Sequence, residues 1–416
     1  MVSLSRLTFG TDRAVWTPRW GQELQDMRDV IVIGGAVMGA SVAYWLTRFA
    51  PELRVCVIER DTTYAKASTA LSVASVRQQF TNPVNVEISR FGVQFIRDFG
   101  RELGLDRGAG DLGLKENGYL FLAGSQGAAD VMAEVAGMQR EHGAATQILT
   151  PDQIAAKYPW MVTSDLVAGS FGPRDEGWFD NMGLLGGFRT AARRQGVEFL
   201  NDTAVGLDLD GDRVCAVRTA SGRVIGCGAA VNCAGTRAAE VMRMVGLDLP
   251  VEPRKRTVFV IDAPNARHPE APLLIDHQGY YMRPEHGQWI TATVPDDDGP
   301  CAADDFEPDA HLFDDVIWPR LYARSEGFDA VKVVRLWVGH YAYNTLDQNA
   351  ILGPHPARPN LYLMNGFSGH GLQQSPAVGR GVAELIVHGG YRSLDLSDLG
   401  VDRVLAGRPF MERAVV

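Results

Sequence analysis

The 416-residue sequence lacks the features that mark a metal site or a disulfide-bonded secreted protein. It has five cysteines, an odd number, with no C-x-x-C pair and no histidine-rich spacing. We interpret the cysteines as small buried hydrophobic residues that stay reduced, which favours a cytoplasmic protein without a metal site. The chain also contains no repeats and no low-complexity segment.

Positive charge is scarce as well. Forty basic residues face fifty acidic ones, so the net charge is -10, which disfavours nucleic acid or an anionic membrane as the main partner. Residues 1–28 have no apolar stretch of signal-peptide length, and three arginines against one acid in the first 20 residues hint only weakly at a transit sequence. We expect these residues to form an ordered or semi-ordered arm.

The most informative part of the sequence is a glycine-rich turn near the start. A buried strand of a parallel sheet is predicted at residues 30–33, a helix at 40–49 and a second strand at 54–58. The first strand is followed by Gly34, Gly35, Ala36 and Gly39, and the second by Glu59. In dinucleotide-binding βαβ units such a turn binds the pyrophosphate, and an acid about 20 residues further on binds the ribose hydroxyls.

A membrane span is the alternative for this part of the chain. Residues 30–47 carry no charge, and an uncharged run of this length can cross a bilayer. The three glycines and the acid after the second strand favour the nucleotide site. Ala36 stands where a second glycine is usual, and its methyl group narrows the approach to the phosphates.

Two later glycine turns repeat this design. Ala234 and Gly235 follow a predicted buried strand and precede a new helix, which allows a second close approach of the backbone to a nucleotide. Residues 365–371 follow another strand and contain three glycines, and a long helix comes after them. Two helix N-termini that attract negative charge suit a cofactor with charge at both ends.

Residues 65–80 are rich in small and hydroxyl side chains, including Ser68 and Thr69. Such a segment can follow a cofactor closely and donate hydrogen bonds to phosphate, and a plain polar loop is the alternative. Arg77 and Lys66 are its two cations.

Residues 245–345 indicate a second, antiparallel layer of strands rich in β-branched and aromatic residues. Arg283 lies beside Tyr280 and Tyr281 in this segment. An arginine among aromatic rings can bind a small carboxylate, and a sandwich core with one solvated arginine fits the spacing equally well. The acidic run 296–298 is interpreted as a solvated turn.

Several motifs together carry a family resemblance. They are Ile58-Glu59-Arg60-Asp61, Ala67-Ser68-Thr69, Gln78-Gln79-Phe80, Asp175-Glu176-Gly177-Trp178-Phe179-Asp180, Asn344-Thr345-Leu346-Asp347-Gln348-Asn349 and residues 366–374. From about residue 29 to about 399 the chain resembles the D-amino-acid oxidase superfamily of FAD enzymes, which includes glycine oxidase, monomeric sarcosine oxidase and dimethylglycine dehydrogenase. The motifs are most similar to a mitochondrial group of FAD-dependent oxidoreductase domain-containing proteins linked to respiratory complex I assembly.

The resemblance implies a mixed α/β and α+β fold. A Rossmann-type, glutathione-reductase-like FAD-binding domain would be discontinuous and comprise residues 29–80, 160–245 and 346–416. A substrate-binding domain built on an antiparallel sheet would comprise residues 81–159 and 246–345.

It also implies a set of site residues. The residues expected to bind FAD are Gly34, Ala36, Val37, Met38, Gly39, Glu59, Arg60, Ser68, Thr69, Val205, Ala234, Gly235, Gly366, Phe367, Gly369, His370, Gly371 and Leu372. For the substrate carboxylate we expect Arg77 first and Arg283 second. The other candidate catalytic residues are Tyr281, His340 and His370.

Two departures from sarcosine oxidase affect these expectations. By resemblance, Gln373 takes the place of its second carboxylate-binding cation, and His340 takes the place of the cysteine that tethers its flavin. Tyr341 stands about where glycine oxidase has its carboxylate-binding arginine. We therefore expect non-covalent FAD and a different carboxylate clamp.

The activity implied is oxidation of the C–N bond of a small secondary or N-substituted amino acid that carries a carboxylate, such as sarcosine, another N-methyl amino acid or an iminodiacetate-like compound. Hydride would pass to flavin N5, water would hydrolyse the imine, and oxygen or a quinone or other electron-transfer acceptor would reoxidise the flavin. A flavin-bearing assembly or scaffold protein with little turnover is one alternative. The other is a 2-hydroxy-acid dehydrogenase feeding quinone, with His340 or His370 as base. The oligomeric state stays open.

Overall fold

The computed structural model describes residues 26–106, 108 and 110–414, so all but the last three residues of the expected N-terminal arm lie outside the described part. Two eight-stranded sheets and one two-stranded ribbon organise these residues. The strands are β1 (Met27–Ile33), β2 (Val55–Glu59), β3 (Ser75–Val76), β4 (Tyr119–Ala123), β5 (Gln147–Leu149), β6 (Ala168–Gly172), β7 (Gly177–Trp178), β8 (Glu198–Asn201), β9 (Ala204–Asp210), β10 (Arg213–Thr219), β11 (Val224–Asn232), β12 (Val251–Asp262), β13 (Leu273–Ile275), β14 (Tyr280–Glu285), β15 (Gln288–Thr293), β16 (Lys332–Asn344), β17 (Ile351–His355) and β18 (Arg358–Asn365).

The helices lie between these strands and after the last one. They are α1 (Val37–Phe49), α2 (Pro83–Arg97), α3 (Phe99–Leu103), α4 (Gln126–Glu141), α5 (Pro151–Lys157), α6 (Asn181–Arg194), α7 (Ala238–Arg243), α8 (Trp318–Arg324), α9 (Gly371–His388) and α10 (Val401–Leu405).

The first sheet contains the predicted βαβ unit. Its strand order is β17-β18-β11-β1-β2-β8, with β10 and β9 attached beside β11. The central pairs β1–β2, β1–β11 and β11–β18 are parallel. Val30, Ile31 and Val32 have no exposed surface, because helices cover one face of β1 and a second apolar cluster covers the other. The strand–helix–strand prediction for residues 30–58 is therefore confirmed.

Helix α1 is buried from Val37 to Thr47 apart from Met38, which explains why its charged residue, Arg48, comes only in the exposed last turn. Ser41 Oγ donates to Ser375 O at 2.7 Å, and Trp45 Nε1 donates to Pro376 O at 3.1 Å. A Cβ atom on Gly379 would lie 2.2 Å from Ser41 Oγ, so α1 and α9 cross in close contact. Within the described residues, no helix combines the length and the hydrophobicity needed to cross a bilayer.

The second sheet has the order β16-β12-β15-β14-β13-β4-β6-β5. All its pairs are antiparallel except β13–β4, which is parallel. Because a hairpin cannot join parallel strands, these two need a long connection, and residues 124–272 provide it. The antiparallel layer expected for residues 245–345 is therefore confirmed for β12 to β16, and β4 extends it by one parallel pair.

The domain division implied by the resemblance stays a prediction. One strand and one helix pack with a different part of the molecule from the one that this division assigns to them. Strand β6 belongs to the second sheet, although residues 160–245 were expected in the FAD-binding domain. Helix α2 packs into the core around α1 and α9, although residues 81–159 were expected in the substrate domain. The apolar stripe Val84, Ile88 and Phe95 explains the second difference, because it completes the core beside α9.

Alternation along the strands separates the two faces of the second sheet. One face carries Tyr119, Val258, Leu273 and Tyr281, which form a cluster with Trp178. The other face buries a separate core, whose members include Leu120, Phe259, Leu274, Tyr280 and Trp289. Neighbouring tyrosines of β14 therefore face opposite sides, and Tyr281 is on the side that faces the first sheet.

We expect Gly39→Ala to lower the free energy of unfolding by about 1–3 kcal/mol, as overpacking does. A Cβ atom at Gly39 would lie 1.9 Å from the carbonyl oxygen of Gly34, so the turn must open. Gly186→Ala in α6 is the matched control, because its Cβ atom would meet nothing within 4 Å. That change should stabilise the fold by about 0.5–1 kcal/mol. Chemical denaturation measures both, and equal stability of the two variants would contradict the close approach.

Candidate active site

The glycine turns before α1 and before α9 open onto one cavity of about 600 Å³ between the two sheets. Gly34, Ala36 and Val37 line it at the start of α1, and His370 and Gly371 line it at the start of α9. Neither Ala36 nor His370 caps its helix with a side-chain hydrogen bond. Val37 N donates to Thr69 Oγ1 at 3.3 Å. Two helix N-termini on one cavity, neither capped by its own N-cap side chain, fit an elongated ligand that is negatively charged or hydrogen-bond accepting at both positions.

The end of the cavity beside β2 has the arrangement expected for a nucleotide. Glu59 is buried, and its carboxylate accepts hydrogen bonds from Gly35 N at 2.7 Å and Asp61 N at 2.8 Å. A Cβ atom on Gly34, whose φ is +95°, would lie 2.4 Å from Cys233 O. The first turn and the end of β11 are therefore in direct contact, which brings Ala234 and Gly235 into the same wall.

Most of the residues expected to bind the cofactor line this cavity. They are Gly34, Ala36, Val37, Met38, Glu59, Arg60, Ser68, Thr69, Ala234, Gly235, Phe367, Gly369, His370, Gly371 and Leu372. Gly39 lies behind the lining, against the Gly34 carbonyl, and Gly366 packs against Asn344 and Val251. Val205 is half exposed and lies off the lining, whereas its neighbour Ala204 is part of it. Their roles in binding stay predictions.

The opposite end of the cavity is formed by the second sheet. Tyr119, Tyr281 and Tyr341 line it together with Arg256 and an apolar patch of Val258, Leu273 and Ile275. Sequence reasoning missed Tyr119 and Arg256. The two-residue spacing of Arg256 and Val258 on β12 places both side chains on one face of the sheet, and this pattern could have indicated Arg256.

Arg77 reaches the same region from the loop before α2. It is 4% exposed, and its guanidinium carbon lies 4.7 Å from the ring centre of Phe80 and 5.6 Å from that of Tyr119. Its backbone N–H donates to Gln373 Oε1 at 2.7 Å. Its Nε has no hydrogen-bond partner among the residues that the structure describes. An unpaired N–H of a buried cation on a cavity wall fits an anionic ligand.

His370 lies between Arg77 and the Ala414 carbonyl. Arg77 Nη2 is 3.0 Å from His370 Nε2, and the same nitrogen is 3.2 Å from the carbonyl oxygen of Ala414. A guanidinium only donates and a carbonyl only accepts, so Nε2 hydrogen-bonds to one of the two according to which ring nitrogen carries the proton. Burial and the charge of Arg77 hold the pKa of His370 well below its ordinary value. His370 is therefore neutral near pH 7.

Residues 410–414, here called the strap, also reach Arg77. Asp347 accepts a hydrogen bond from Phe410 N at 2.9 Å, and the fully buried Glu412 accepts from Thr81 Oγ1 at 2.7 Å and Asn85 Nδ2 at 2.9 Å. These bonds bring the carbonyl of Ala414 onto Arg77 Nη2. The motif 344–349 noted in the sequence thus helps to anchor the strap beside the cavity.

Two other candidate catalytic residues take up different positions. Arg283 does not line the cavity; it pairs with Glu285, donates to Val73 O at 3.1 Å and stacks on Trp178. His340 lies where Phe306 covers the cavity, with its Nε2 2.6 Å from the carbonyl oxygen of Asp305. That nitrogen must carry the proton, since a carbonyl only accepts, and burial lowers the pKa of His340.

Glu176 lies behind Arg77 and is fully enclosed. Its carboxylate accepts hydrogen bonds from Gln78 N and Gln79 Nε2, each at 2.8 Å. Burial raises the pKa of Glu176 to about 7, although both hydrogen bonds favour the charged form. The loop that carries Arg77 is thus held by an acid that titrates near neutrality.

This raised pKa predicts a pH-dependent contribution to stability. Glu176 has an ordinary pKa of 4.5, so between about pH 4.5 and 7 the folded protein holds a proton that the unfolded chain releases. The contribution is present below pH 4.5 and lost as the pH rises through 7, about 3 kcal/mol in all. On going from pH 5 to pH 8, Glu176→Gln should therefore gain about that much stability relative to the native protein.

Urea unfolding of both proteins at the two pH values measures this gain. Glu52→Gln, at an exposed position, is the control and should show the same pH profile as the native protein. An equal profile for Glu176→Gln would place the pKa of Glu176 in its ordinary range.

Comparison with known proteins agrees with the geometry of the cavity. The chain is 38% identical to FAD-dependent oxidoreductase domain-containing protein 1 of Xenopus laevis, with 98% of this chain and 88% of that protein covered. It is 26% identical to mitochondrial dimethylglycine dehydrogenase of Mus musculus, with 96% of this chain and 46% of that protein covered. Among solved structures, it is similar to L-proline dehydrogenase from P. horikoshii, with a TM-score of 0.82 and 25% identity over 92% of this chain and 99% of that one.

A family model settles the assignment. The model described as DAO, FAD dependent oxidoreductase, matches residues 29–385. This range includes both glycine turns, the acid at the end of β2 and the loop with Arg77. The chain therefore belongs to the DAO family of FAD-dependent oxidoreductases, and its cofactor is FAD.

Proposed function

We propose that this protein oxidises the C–N bond of a small secondary or N-substituted amino acid. One observation carries the proposal: the buried guanidinium of Arg77, with an unpaired Nε, lies on an aromatic-walled cavity beside the N-terminus of α9. A carboxylate is the anion that such a donor best accommodates in a small substrate. We also propose that FAD is bound without a covalent link and that the protein is cytoplasmic, in keeping with its five free cysteines.

The names of two similar proteins support the choice of substrate class. Dimethylglycine dehydrogenase and L-proline dehydrogenase are both named for amino acids with a substituted nitrogen. The shared fold supports a substrate of this class. Which substrate is bound depends on the residues that line the cavity of this protein.

The residues of the chain would position the substrate and keep water away. FAD, when bound, supplies the hydride acceptor. Arg77 would hold the carboxylate, and Val258, Leu273 and Ile275 would exclude water from the carbon that loses hydride. The N-terminus of α9 would stabilise negative charge that develops at the cavity edge. None of these tasks requires a side chain that takes up a proton.

That last point favours amines over 2-hydroxy acids, which need a base for the hydroxyl proton. Nε2 of His370 is already engaged by Arg77 Nη2 and by the Ala414 carbonyl. His340 donates from Nε2 to Asp305 O, and its ring lies with Phe306 and not with Arg77. The protein therefore occupies Nε2 of His370, and His340 lies away from the proposed carboxylate site.

A second candidate function rests on the strap. The Ala414 carbonyl already occupies one nitrogen of Arg77, which favours a flavoprotein with little turnover that serves as an assembly or scaffold protein. Such a protein would hold FAD tightly, and no amino acid would reduce the flavin.

One experiment tests these alternatives. The purified protein is expected to show a flavin spectrum, and acid precipitation should release the flavin into the supernatant. N-substituted amino acids should then bleach the flavin under anaerobic conditions, and 2-hydroxy acids should not. Bleaching by hydroxy acids alone would identify the dehydrogenase alternative, and a stable flavin with every compound would identify the scaffold alternative.

Replacing Arg77 with alanine should reduce kcat/KM for the best amine substrate by roughly 30- to 1000-fold. This range corresponds to a loss of roughly 2–4 kcal/mol when a buried carboxylate loses its charged partner. Arg243→Ala, which removes an exposed arginine from α7, is the control and should leave the kinetics unchanged. Unchanged kinetics in Arg77→Ala would remove Arg77 from the carboxylate site.

A further inference from the structure

The cavity has a second buried guanidinium that the proposed reaction does not use. Arg256 is 5% exposed and lines the cavity from β12. Val258, two residues further along the strand, lines the same wall. Arg256 therefore belongs to the face of the second sheet that would contact a substrate, although it lies far from Arg77 in the sequence.

The guanidinium of Arg256 is only partly satisfied by the protein. Its Nη1 donates to Lys255 O at 2.9 Å and to Asp298 Oδ1 at 2.5 Å, and its Nη2 donates to Asp298 Oδ2 at 2.9 Å. Asp298 also accepts from Arg254 at 3.3 Å, although Arg254 has its own partner in Glu252. Three of the five N–H groups of Arg256 donate to described residues, which leaves the enclosed Nε–H and one N–H of Nη2 without an acceptor among them. A buried cation on a cavity wall with unpaired N–H groups points to a ligand that supplies an acceptor.

Both buried arginines act on one aromatic wall. The guanidinium carbon of Arg256 lies 4.8 Å from the ring centre of Tyr341. A Cβ atom on Gly369, in the glycine turn before α9, would lie 2.7 Å from the same ring. Burial raises the pKa of Tyr341, while Arg256 and Arg77 each lower it, so both guanidiniums are within electrostatic reach of this phenol. A ligand beside Tyr341 would therefore lie in the field of both cations.

Charge along the cavity wall strengthens this point. Among the described lining residues, the acidic side chains lie on the nucleotide-binding segments or in the loop that covers His340; they are Glu59, Asp61, Asp202, Glu240 and Asp304. On β4, β12, β13, β14 and β16, the strands of the second sheet that line the cavity, no acidic residue belongs to the lining. The substrate end therefore presents two arginines and no lining carboxylate of its own.

We infer that the site selects amino acids with two carboxylates, one bound by Arg77 and the second by Arg256. The inference rests on the proposed function and narrows its substrate class to N-carboxyalkyl or similarly acidic amino acids. A substrate with a single carboxylate would make no ion pair with Arg256, and the absence of that charged contact is the source of the discrimination.

Binding of two unreactive ligands tests the inference without turnover. Oxydiacetate has two carboxylates, methoxyacetate has one, and neither has a nitrogen to oxidise. Titration of the FAD-loaded protein, followed by the visible flavin spectrum, gives both dissociation constants. We expect oxydiacetate to bind about 10- to 100-fold more tightly, the range for one charged hydrogen-bonded contact.

Arg256→Gln should abolish this preference and leave the affinity for methoxyacetate within about threefold of the native value. Arg254→Gln is the matched control, because Arg254 shares Asp298 with Arg256 but does not line the cavity; the preference should persist in it. An unchanged preference in Arg256→Gln, or an equal loss of affinity for both ligands, would overturn the inference.

A second variant keeps the test informative if Arg256→Gln does not fold. Asp298→Asn removes the carboxylate that competes for Arg256, so the preference for oxydiacetate should increase. A reduced preference in this variant would overturn the inference. Because the ligands are not oxidised, the preference can be measured even if no amino acid reduces the flavin, and the two proposals can fail separately.

Discussion

The close crossing of α1 and α9 is the contact on which the cofactor site depends. Each helix follows a strand of the same parallel run, β1 for α1 and β18 for α9, so both helix N-termini lie at one edge of the first sheet. Ser41 and Gly379 hold the helices in direct contact further along. Two regions of positive potential therefore face one cavity, although the turns are more than 300 residues apart in the sequence.

The local parts of this arrangement could be predicted from the sequence. The run 30–33, the glycines after it and Glu59 form one short unit whose geometry depends on neighbouring residues, and the structure contains it. Arg256 and Arg283 show the limit of such reasoning. Both are buried arginines on neighbouring parts of one sheet, and residue spacing cannot show that Arg283 lies under Val73 and Trp178 while Arg256 reaches the cavity.

The strap was unpredictable for a related reason. Glu412 contacts Thr81 across 331 positions of sequence, and no local pattern signals a contact of that length. The motif 344–349 was visible in the sequence, but its role depends on the anchoring of Phe410 by Asp347. Similarly, Gln78 and Gln79 both contact the buried Glu176, which lies about 100 residues away in the sequence. These motifs support Arg77 from outside the cavity.

The strap also affects how the protein can be made. The cavity is lined by Gly34 from the beginning of the described chain and by the α9 turn near residue 370, and Ala414 contacts Arg77 on its wall. During synthesis, β1, α1 and β2 leave the ribosome before α9 and expose an apolar surface that α9 later covers. High sequence separation of this kind slows folding and prolongs the exposure of apolar surface. The walls of the flavin site are therefore complete only after α9 has been synthesised and has packed on α1.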